Sequence, residues 1–369
     1  MSSVISAIGT SNPVNKFAQN QILNFMKSAH QLNGDNVRRL EKLYTASGIH
    51  FRHSVISDFD KPLGNFTFFG NHDGLEPFPT TAQRGELYQH TALNISLTAI
   101  QNALEKLQNF DLKNITHLIT VSCTGMYAPG LDVEIVEKLN LNPWVERTCI
   151  NFMGCYGAFN ALKMANYICT AQPNANVLVV CVELCTLHFQ KENTLDNWIA
   201  NSLFADGAAA VVVQHKDYAT QKIFEIKGFY SQLVSKARNQ MAWTIGNHGY
   251  QMQLSNQVAK QIKAEIKNVA QTLLNKLNLA LADIGQFAIH PGGRRILEVC
   301  DEVFNLEAHQ NKQGYKVLKD YGNMSSASIL FVLDELSNTL KIKNKSENVL
   351  SFAFGPGLTF ESMLLHYDA

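Results

Sequence analysis

Five short apolar runs, each bounded by polar or turn residues, constrain the fold of this chain more than any other feature. They have the length and composition of strands buried on both faces: His117 to Cys123, Val177 to Leu184, Ala208 to Val213, Phe287 to Ile289 and Val349 to Phe354. The clearest helical pattern follows Ser255, a good N-cap, with apolar residues three or four positions apart at Val258, Ile262, Ile266, Val269, Leu273 and Leu277. Strands that alternate with helices predict an α/β fold built in layers.

A weak internal repeat predicts that the chain consists of two similar halves. Gly154-Cys155 and Gly322-Asn323 each precede an apolar run with helical spacing, so each half places a polar group at the start of a buried helix. The polar segment from Lys216 to Gln221 marks the boundary between the halves. We therefore expect an N-terminal half at residues 1–218 and a C-terminal half at residues 219–369. No linker rich in Pro, Gly or Ser separates them, so the halves should pack tightly against each other.

The composition argues against several classes of function. Lys plus Arg and Asp plus Glu both total 31, so the formal net charge is zero and a broad basic surface for nucleic acid is not expected. No apolar stretch approaches the ~20 residues of a membrane span, and the start from Met1 to Ile8 lacks a cationic region. The seven cysteines lie mostly in apolar runs, which favours a reduced compartment over a disulfide framework. We expect a cytoplasmic protein with no membrane contact.

Cys155 is the first candidate for a catalytic residue. It lies among small residues at the start of a helical pattern, where unpaired backbone N–H groups favour the thiolate over the thiol. Such surroundings can lower a cysteine pKa from about 8.5 to about 7. The alternative is a buried structural thiol, which is our interpretation of Cys149, Cys169, Cys181 and Cys300.

Two further residues could act beside this thiol. His290 ends a predicted strand and precedes Pro291-Gly292-Gly293, so its imidazole should project from a fixed backbone into a cleft. Asn323 is either a helix N-cap or, because neighbouring serines can cap instead, an uncharged N–H donor for an oxyanion. His50 with His53 lacks the spacing and companions of a metal site, and no metal is expected.

The order Cys155, His290, Asn323, with separations of 135 and 33 residues, does not by itself identify the chemistry. Papain-like peptidases share the order and a similar first separation. Their cysteine lies near the mature N-terminus of secreted, disulfide-bearing chains, whereas Cys155 lies in the middle of this chain among predicted buried strands. The context therefore favours another class of enzyme.

Several longer segments carry a resemblance to a known family. The segments Asn151 to Gly157, Ile289 to Gly293, Tyr321 to Ser326 and Phe354 to Thr359 resemble those of the type III polyketide synthases, the chalcone synthase-like enzymes. Phe204 to Ala209 and Met126 to Gly130 resemble further blocks of that family. The resemblance extends over nearly the whole chain, and the combination of segments is specific.

The resemblance implies a fold and a reaction. It implies the duplicated, five-layered αβαβα thiolase fold, usually as a homodimer, with no metal and no cofactor beyond the coenzyme A (CoA) thioesters of the substrates. Cys155 would accept an acyl group from an acyl-CoA. His290 and Asn323 would bind malonyl-CoA, stabilise the enolate formed by decarboxylation and hold the oxyanion during condensation. His290 would also keep Cys155 ionised in a thiolate–imidazolium pair.

The resemblance also assigns residues to a cavity and to its mouth. Phe204 would be the gatekeeper between the CoA tunnel and the cavity, and Met252 stands where a second aromatic gatekeeper is common. Other matched pocket positions are Cys123, Thr124, Cys185, His188, Trp243, Ser325 and Phe354, for which ordinary core packing is the alternative. Arg39, Lys42 and Arg295 are candidates for binding CoA phosphates, for which a solvated charged helix face is the alternative. Ala46 and Ala128 replace larger residues of the family.

The expected function is iterative decarboxylative Claisen condensation of an acyl-CoA starter with malonyl-CoA, followed by cyclisation to a pyrone or phenolic product. One alternative is a single condensation like that of ketoacyl carrier-protein synthase III, for which Arg294 and Arg295 leave carrier-protein docking open. A cysteine hydrolase and a non-catalytic acyl-binding protein are more remote alternatives. The sequence does not identify the starter, the number of extensions or the mode of ring closure.

Overall fold

The computed structural model describes residues 3–255 and 257–369, so Met1, Ser2 and Asn256 lie outside the described residues. Its strands are β1 (Ser3–Ser11), β2 (Asn15–Ala18), β3 (Phe51–Ser54), β4 (His117–Ser122), β5 (Glu146–Asn151), β6 (Asn176–Leu184), β7 (Asp206–His215), β8 (Phe224–Leu233), β9 (Met241–Gly246), β10 (Gly249–Leu254), β11 (Gln286–Ile289), β12 (Glu347–Gly355) and β13 (Thr359–Tyr367). Its α-helices are α1 (Gln19–Ala29), α2 (Gly34–Ala46), α3 (Thr81–Leu104), α4 (Leu131–Lys138), α5 (Gly157–Ala171), α6 (Leu195–Leu203), α7 (Val258–Lys276), α8 (Arg294–Phe304), α9 (Lys312–Tyr321) and α10 (Ser328–Lys343).

Nine strands form one sheet in the order β11-β12-β13-β8-β1-β7-β6-β4-β5. The strands from β5 to β1 come from the first part of the chain and those from β8 to β11 come from the second part. The two groups meet where β1 pairs with β8, through Val4 with Glu225 and Ile5 with Phe224. Pairing is parallel between β4 and β5, β4 and β6, and β11 and β12, and antiparallel elsewhere in the sheet. The sheet is therefore mixed, with one group of strands from each half.

Helices cover the sheet in layers. α5 and α10 lie in the centre, where α5 contacts β4, β6, β7 and β13 while α10 contacts β1, β7 and β11. α3 covers the outer face of the first group of strands, and α7 covers the outer face of the second group. The layers are therefore α3, the first group of strands, the central helices α5 and α10, the second group of strands, and α7. This is the five-layered arrangement expected from the resemblance, with the two strand layers joined into one sheet where β1 pairs with β8.

The composition of the helices explains their layers. The segment from Ser328 to Leu333 in α10 is buried at every residue, as is expected of a helix packed between two sheet surfaces. α7 instead buries one stripe, which includes Val258, Ile262 and Ile266, and exposes its other face. The first turns of the central helices are thus enclosed, and the residues at their starts lie deep in the protein, although both helices reach solvent further along, at Tyr167 in α5 and Ile342 in α10.

All five apolar runs predicted as strands form strands, except that Cys123 lies just after the end of β4, and the start of α7 differs from the prediction. The N-cap is Gln257 rather than Ser255, and the helix begins at Val258. The Ser255 hydroxyl accepts a hydrogen bond from the Gln257 backbone N–H at 3.2 Å, so it stabilises the turn that precedes the helix. Leu277, expected inside the helix, is its C-cap.

The connection between β7 and β8 runs over residues 216–223, most of which are exposed or half-buried. The predicted division after residue 218 falls in this connection and stays a prediction. No helix in the described part of the chain is both long and apolar enough to cross a membrane. Among residues 3–255 and 257–369, no three His, Cys, Asp or Glu side chains form a group that could hold a metal ion.

Candidate active site

A cavity of about 320 Å³ lies where the two halves of the fold meet, beside the starts of α5 and α10. The sequence-predicted residues that line it are Cys123, Thr124, Cys155, Cys185, Phe204, Trp243, Met252, His290, Arg295, Asn323, Ser325 and Phe354. His188, Arg39 and Lys42 do not line it. The structure therefore brings the three predicted catalytic residues into one cavity, together with most of the predicted pocket.

Cys155 lies in a short 3₁₀ turn, Gly154–Tyr156, that leads directly into α5. Gly154 has a φ of +77°, and a Cβ atom there would approach a ring carbon of Pro356 to 2.4 Å. Only glycine can therefore hold this backbone against the Pro356 loop. The turn places the thiol at the cavity wall, where Cys155 is only 9% exposed.

His290 and Asn323 approach the same cavity from the second half. His290 directly follows β11, and its backbone N–H donates to the carbonyl of Phe352 at 2.8 Å. Asn323 follows Gly322, whose φ of +74° parallels that of Gly154 before Cys155. The internal repeat thus corresponds to two turns with matching glycines, one at the nucleophile and one at the amide.

The protonation states in the cavity differ from the expectation. Burial raises the pKa of Cys155 from 9.0 to about 12, although hydrogen bonds with the Ser325 and Asn323 side chains oppose this shift. A helix start contributes about 1 kcal/mol, which is less than one pKa unit, so desolvation outweighs it. The predicted lowering of the Cys155 pKa is therefore wrong.

His290 is neutral for the same reason. Burial lowers its pKa from 6.5 to about 3, and neither ring nitrogen has a hydrogen-bond partner among the described residues. The site consequently holds a thiol and a neutral imidazole rather than the expected thiolate–imidazolium pair. Two free ring nitrogens leave the imidazole able both to accept a proton and to donate a hydrogen bond to a ligand.

The side chain of Asn323 combines the two roles considered for it, a capping group and an uncharged N–H donor. Its Oδ1 accepts a hydrogen bond from the Ser325 backbone N–H at 2.9 Å, which is a capping interaction. Its Nδ2 donates to the Gly292 carbonyl at a long 3.3 Å. The amide oxygen is therefore fixed by the turn, while the amide N–H₂ group is loosely held beside the cavity and beside Cys155.

Sequence reasoning missed a buried carboxyl group next to this site. Glu183 lies in β6 with no exposed surface and accepts hydrogen bonds from the Cys123 backbone N–H at 2.9 Å, Thr124 Oγ1 at 3.0 Å and Ser326 Oγ at 2.5 Å. Burial raises its pKa despite these bonds, and its charge raises the pKa of Cys155. The sequence did contain a signal for Glu183, because a glutamate within an otherwise apolar predicted strand is unusual and indicates a buried carboxyl group.

Both halves of the chain match family models. Residues 2–216 match the N-terminal domain of chalcone and stilbene synthases, and residues 225–367 match their C-terminal domain. The chain belongs to the chalcone and stilbene synthase family. It is accordingly a type III polyketide synthase, an enzyme of the acyltransferase class. The matches give no support to the ketoacyl carrier-protein synthase III alternative.

Two relatives and one solved structure show the extent of the similarity. The alpha-pyrone synthesis polyketide synthase-like Pks18 of Mycobacterium tuberculosis is 31% identical over 88% of this chain and 81% of its own length. The probable polyketide synthase 1 of Dictyostelium discoideum is 28% identical over 98% of this chain, which spans only 11% of that relative. The C-terminal type III polyketide synthase domain of Steely1, a type I/III hybrid from Dictyostelium, matches with a TM-score of 0.91 and 28% identity over 100% of both chains. This match confirms the thiolase fold.

Aromatic side chains form one wall of the cavity in this type III polyketide synthase. Trp243 on β9 donates its indole N–H to the Cys123 carbonyl at 2.8 Å. His188 lies behind the wall, with its ring 4.0 Å from that of Tyr250 and stacked on it. Its Nε2 lies 2.7 Å from the Thr124 carbonyl, and its Nδ1 accepts from the Tyr250 backbone N–H at 3.0 Å. Both ring nitrogens are thus occupied, and His188 supports the wall instead of facing the cavity.

Two predicted gate residues separate the cavity from a smaller one. Phe204, the C-cap of α6, and Met252 on β10 line both the main cavity and a side cavity of about 30 Å³. Cys185 and Trp243 also line both, whereas His188 lines only the smaller one. The predicted gate therefore lies between two spaces, and the unbranched side chain of Met252 is the more adaptable of the two gate residues.

The predicted phosphate-binding residues differ in their surroundings. Arg39 and Lys42 are exposed on α2, and neither has an ion pair among the described residues. Leu43 and Ala46 of the same helix line the cavity, so the spacing places the two cations on the adjoining surface. Arg295 lines the cavity mouth but pairs with Glu302 at 2.8 Å and Glu298 at 3.3 Å. Arg39 and Lys42 are therefore the uncompensated charges there.

Proposed function

We propose that this enzyme catalyses iterative decarboxylative Claisen condensation of an acyl-CoA starter with malonyl-CoA, ending in cyclisation to a pyrone or phenolic product. One observation carries the proposal: Cys155, His290 and Asn323 line a single, largely apolar cavity. A nucleophile, a proton acceptor and an uncharged N–H donor are the groups that this reaction requires.

The first step loads the acyl group. Sγ of Cys155 attacks the thioester carbonyl carbon of the starter while its proton passes to the neutral imidazole of His290. The tetrahedral intermediate then expels the CoA thiolate, which takes up that proton and leaves as the thiol. A resting thiol beside a neutral imidazole is suited to this coupled transfer, since charge forms only when a substrate is present to be attacked.

The second step makes and uses a carbon nucleophile. The thioester carbonyl oxygen of malonyl-CoA accepts hydrogen bonds from the His290 imidazole N–H and from Nδ2 of Asn323. Breaking the bond to the carboxylate releases carbon dioxide and leaves its electron pair in an enolate, which these two donors stabilise. The enolate carbon attacks the acyl thioester on Cys155, forming a carbon–carbon bond and releasing the Cys155 sulfur. Transfer of the lengthened chain to that sulfur permits another cycle.

The apolar lining favours decarboxylation without a strong base. A carboxylate is destabilised when it leaves water for an apolar cavity, whereas the forming enolate meets two directed donors. Among the described residues, the cationic side chains that line the cavity are Arg294 and Arg295, and both pair with glutamates, Arg294 with Glu298 and Arg295 with Glu302. The cavity thus favours release of neutral carbon dioxide, with the negative charge passing from the carboxylate to the enolate.

The mass of the product tests the proposal. Purified enzyme incubated with acyl-CoA starters and malonyl-CoA is expected to release cyclised products that carry two or more two-carbon extensions. The volume of about 320 Å³ and the wall at Trp243 limit how long a chain can fold inside. A product that carried only one extension, for every starter tried, would contradict iteration.

We propose that Arg39 and Lys42 bind the phosphates of CoA at the mouth. Replacing both with alanine is expected to raise KM for CoA thioesters roughly three- to thirtyfold with kcat unchanged, because two exposed charge contacts of up to about 1 kcal/mol each are lost. Acyl thioesters of N-acetylcysteamine, which have no phosphates, should be used equally well by the variant and the wild type.

The matched control is Arg38→Ala on the same helix. Arg38 is exposed like Arg39 but pairs with Asp35, so its loss should leave both KM values unchanged. An equal rise of KM for the two kinds of thioester in the double variant would instead indicate a distorted helix and would contradict phosphate binding.

We further propose a homodimer that forms through the edge of the sheet at β5. This strand pairs only with β4 and is largely exposed on its other side. Nearby, Met126 is 49% exposed and Trp144 is 61% exposed, although apolar edges are normally covered. Light scattering that returned the chain mass of 41.1 kDa at micromolar concentration would contradict the dimer.

A further inference from the structure

Arg52 is a buried guanidinium that contacts the segment carrying the gate. It lies in β3, outside the main sheet, and is 2% exposed. Its Nη1 donates to the carbonyls of Asn201 at 2.7 Å and Phe204 at 2.8 Å, and its Nε donates to Oε1 of Gln19 at 2.8 Å. All three acceptors are uncharged, and no carboxylate among the described residues lies within ion-pair distance. A buried cation held by backbone carbonyls is costly unless it fixes a geometry that the protein needs.

The carbonyl of Phe204 belongs to a backbone ladder that also holds Asn323. The Asn323 N–H donates to the Leu203 carbonyl at 2.9 Å, and the Ala205 N–H donates to the Asn323 carbonyl at 2.9 Å. Phe204 and Asn323 are therefore bridged side by side in parallel orientation. Any movement of the segment that carries Phe204 must move the backbone of Asn323 as well.

The aliphatic part of Arg52 supports this ladder from the other side. A Cβ atom at Gly322 would come within 2.9 Å of Cγ of Arg52 and 3.0 Å of the Leu203 carbonyl oxygen. Gly322 is thus enclosed between the arginine stem and the ladder, directly before Asn323. The guanidinium contacts the segment that bears the gate, and the stem contacts the residue before the catalytic amide.

The remaining nitrogen, Nη2, has no hydrogen-bond partner among the described residues, and Arg52 lines the side cavity of about 30 Å³ behind Phe204. A cavity of that size has room for a water molecule, which Nη2 of Arg52 and the other polar side chains that line the cavity could bind. Arg52 is therefore connected to both structures that control the main cavity, yet it lines no part of that cavity.

We infer that Arg52 is a positioning residue that couples the Phe204 gate to the Asn323 amide, and that the enolate-forming step depends on it far more than acyl loading does. The inference rests on the proposed function. Acyl loading requires Cys155. The turn that carries Cys155 is held by Gly154 against Pro356 and has no hydrogen bond with Arg52. Decarboxylation requires the Asn323 amide to lie within hydrogen-bonding distance of the thioester oxygen, and a displacement of about 1 Å can reduce a rate roughly a hundredfold.

The test compares the two half-reactions in Arg52→Lys, which retains the charge but loses the forked geometry. Malonyl-CoA decarboxylation without a starter is expected to fall roughly ten- to a hundredfold in kcat, with little change in KM. Acyl loading of Cys155, followed by intact mass, should stay within about threefold of wild type when both are normalised to the fraction of folded protein.

Ser54→Ala is the matched control. Ser54 is a buried residue of the same strand, β3, and its hydroxyl pairs with Thr186 Oγ1 at 2.7 Å, so this variant removes a buried hydrogen bond from the strand while leaving Arg52 and its contact with Phe204 in place. In this variant, the ratio of the decarboxylation rate to the acyl-loading rate should equal that of the wild type. Should Arg52→Lys fail to fold, Gln19→Ala provides a second variant, because Gln19 supports Nε of Arg52 and should shift the ratio in the same direction by a smaller factor.

Three results would overturn the inference: a parallel loss of both half-reactions in the folded Arg52 and Gln19 variants, unchanged rates in both, or the same imbalance in Ser54→Ala. The wild-type enzyme separates this failure from failure of the proposed function. If wild type neither loads acyl groups nor decarboxylates malonyl-CoA, the proposed function fails and the inference falls with it. If wild type does both, only the assignment of Arg52 is at stake.

Discussion

Replacing Cys155 with alanine is expected to abolish covalent acyl loading, and with it all product formation. No other described thiol in the cavity is placed to substitute. Cys123 Sγ accepts a hydrogen bond from the Gly154 backbone N–H at 2.9 Å, and burial raises the pKa of Cys123 and Cys185 well above 9.0. Intact mass after incubation with an acyl-CoA should therefore show no adduct on Cys155→Ala and one adduct per chain on wild type.

The matched control is Cys149→Ala. Cys149, expected from the sequence to be a buried structural thiol, is instead exposed on the edge strand β5, outside the cavity. This variant should load one acyl group per chain at the wild-type rate. An adduct on Cys155→Ala at wild-type stoichiometry would contradict the nucleophile assignment, and peptide mapping would identify which thiol carried it.

The pH dependence of thiol alkylation tests the resting state of the same residue. Because burial raises the pKa of Cys155 to about 12, the thiolate fraction without substrate should increase about tenfold per pH unit from pH 7 to pH 9. The rate of inactivation by iodoacetamide should rise accordingly, with no plateau near neutral pH. A plateau that began at or below pH 7 would mean that an ion pair with His290 already exists in the free enzyme.

Replacing His290 with glutamine is the second change with a large expected effect. Glutamine carries an N–H donor, but its flexible chain does not hold that donor where the imidazole does, and it cannot take the proton of Cys155. We expect carbon dioxide release from malonyl-CoA to fall at least about a hundredfold, because the oxyanion donor is no longer fixed in place, while slow acyl loading remains. Release of labelled carbon dioxide and intact-mass loading, measured on the same preparation, give the two rates.

The same substitution at His188 is the matched control. That ring is also buried, and burial likewise lowers its pKa to about 3, but both nitrogens face backbone groups and the side chain does not line the main cavity. His188→Gln should lower thermal stability while leaving decarboxylation per folded enzyme within about threefold of wild type. Unchanged carbon dioxide release in His290→Gln would contradict the role proposed for this residue.

The sequence predicted elements whose signals are local. The five apolar runs could be predicted as strands because a short run of apolar residues is suited to burial on both faces of a sheet. The apolar stripe from Val258 to Leu273 predicted α7 because its spacing is that of a helix. β5 escaped detection because it is an edge strand with mostly exposed residues. β9 and β10 form a hairpin that covers the cavity, and a mixed polar and apolar composition gave no clear alternation there.

The site was predicted where a residue type and its flanks carry the chemistry. Cys155, His290 and Asn323 stood out by their glycine neighbours and by a resemblance that the family models confirm. The pKa of Cys155 was predicted wrongly because its main cause, desolvation, depends on how the whole fold packs around the thiol, and the charge of Glu183 on β6 raises the pKa further. Arg52 escaped notice for a similar reason, since its partners at Asn201 and Phe204 lie about 150 residues further along.

The two positive-φ glycines that precede Cys155 and Asn323 have a consequence for how this enzyme can diversify. At each site a neighbour encloses the backbone, Pro356 in one case and the aliphatic part of Arg52 in the other. A single substitution of either glycine would therefore clash with that neighbour and displace a catalytic residue. Trp243, Met252 and Cys185 also line the cavity, but none of them has a positive φ that restricts the position to glycine. New products should therefore arise by mutation of the wall, with the reaction chemistry inherited unchanged.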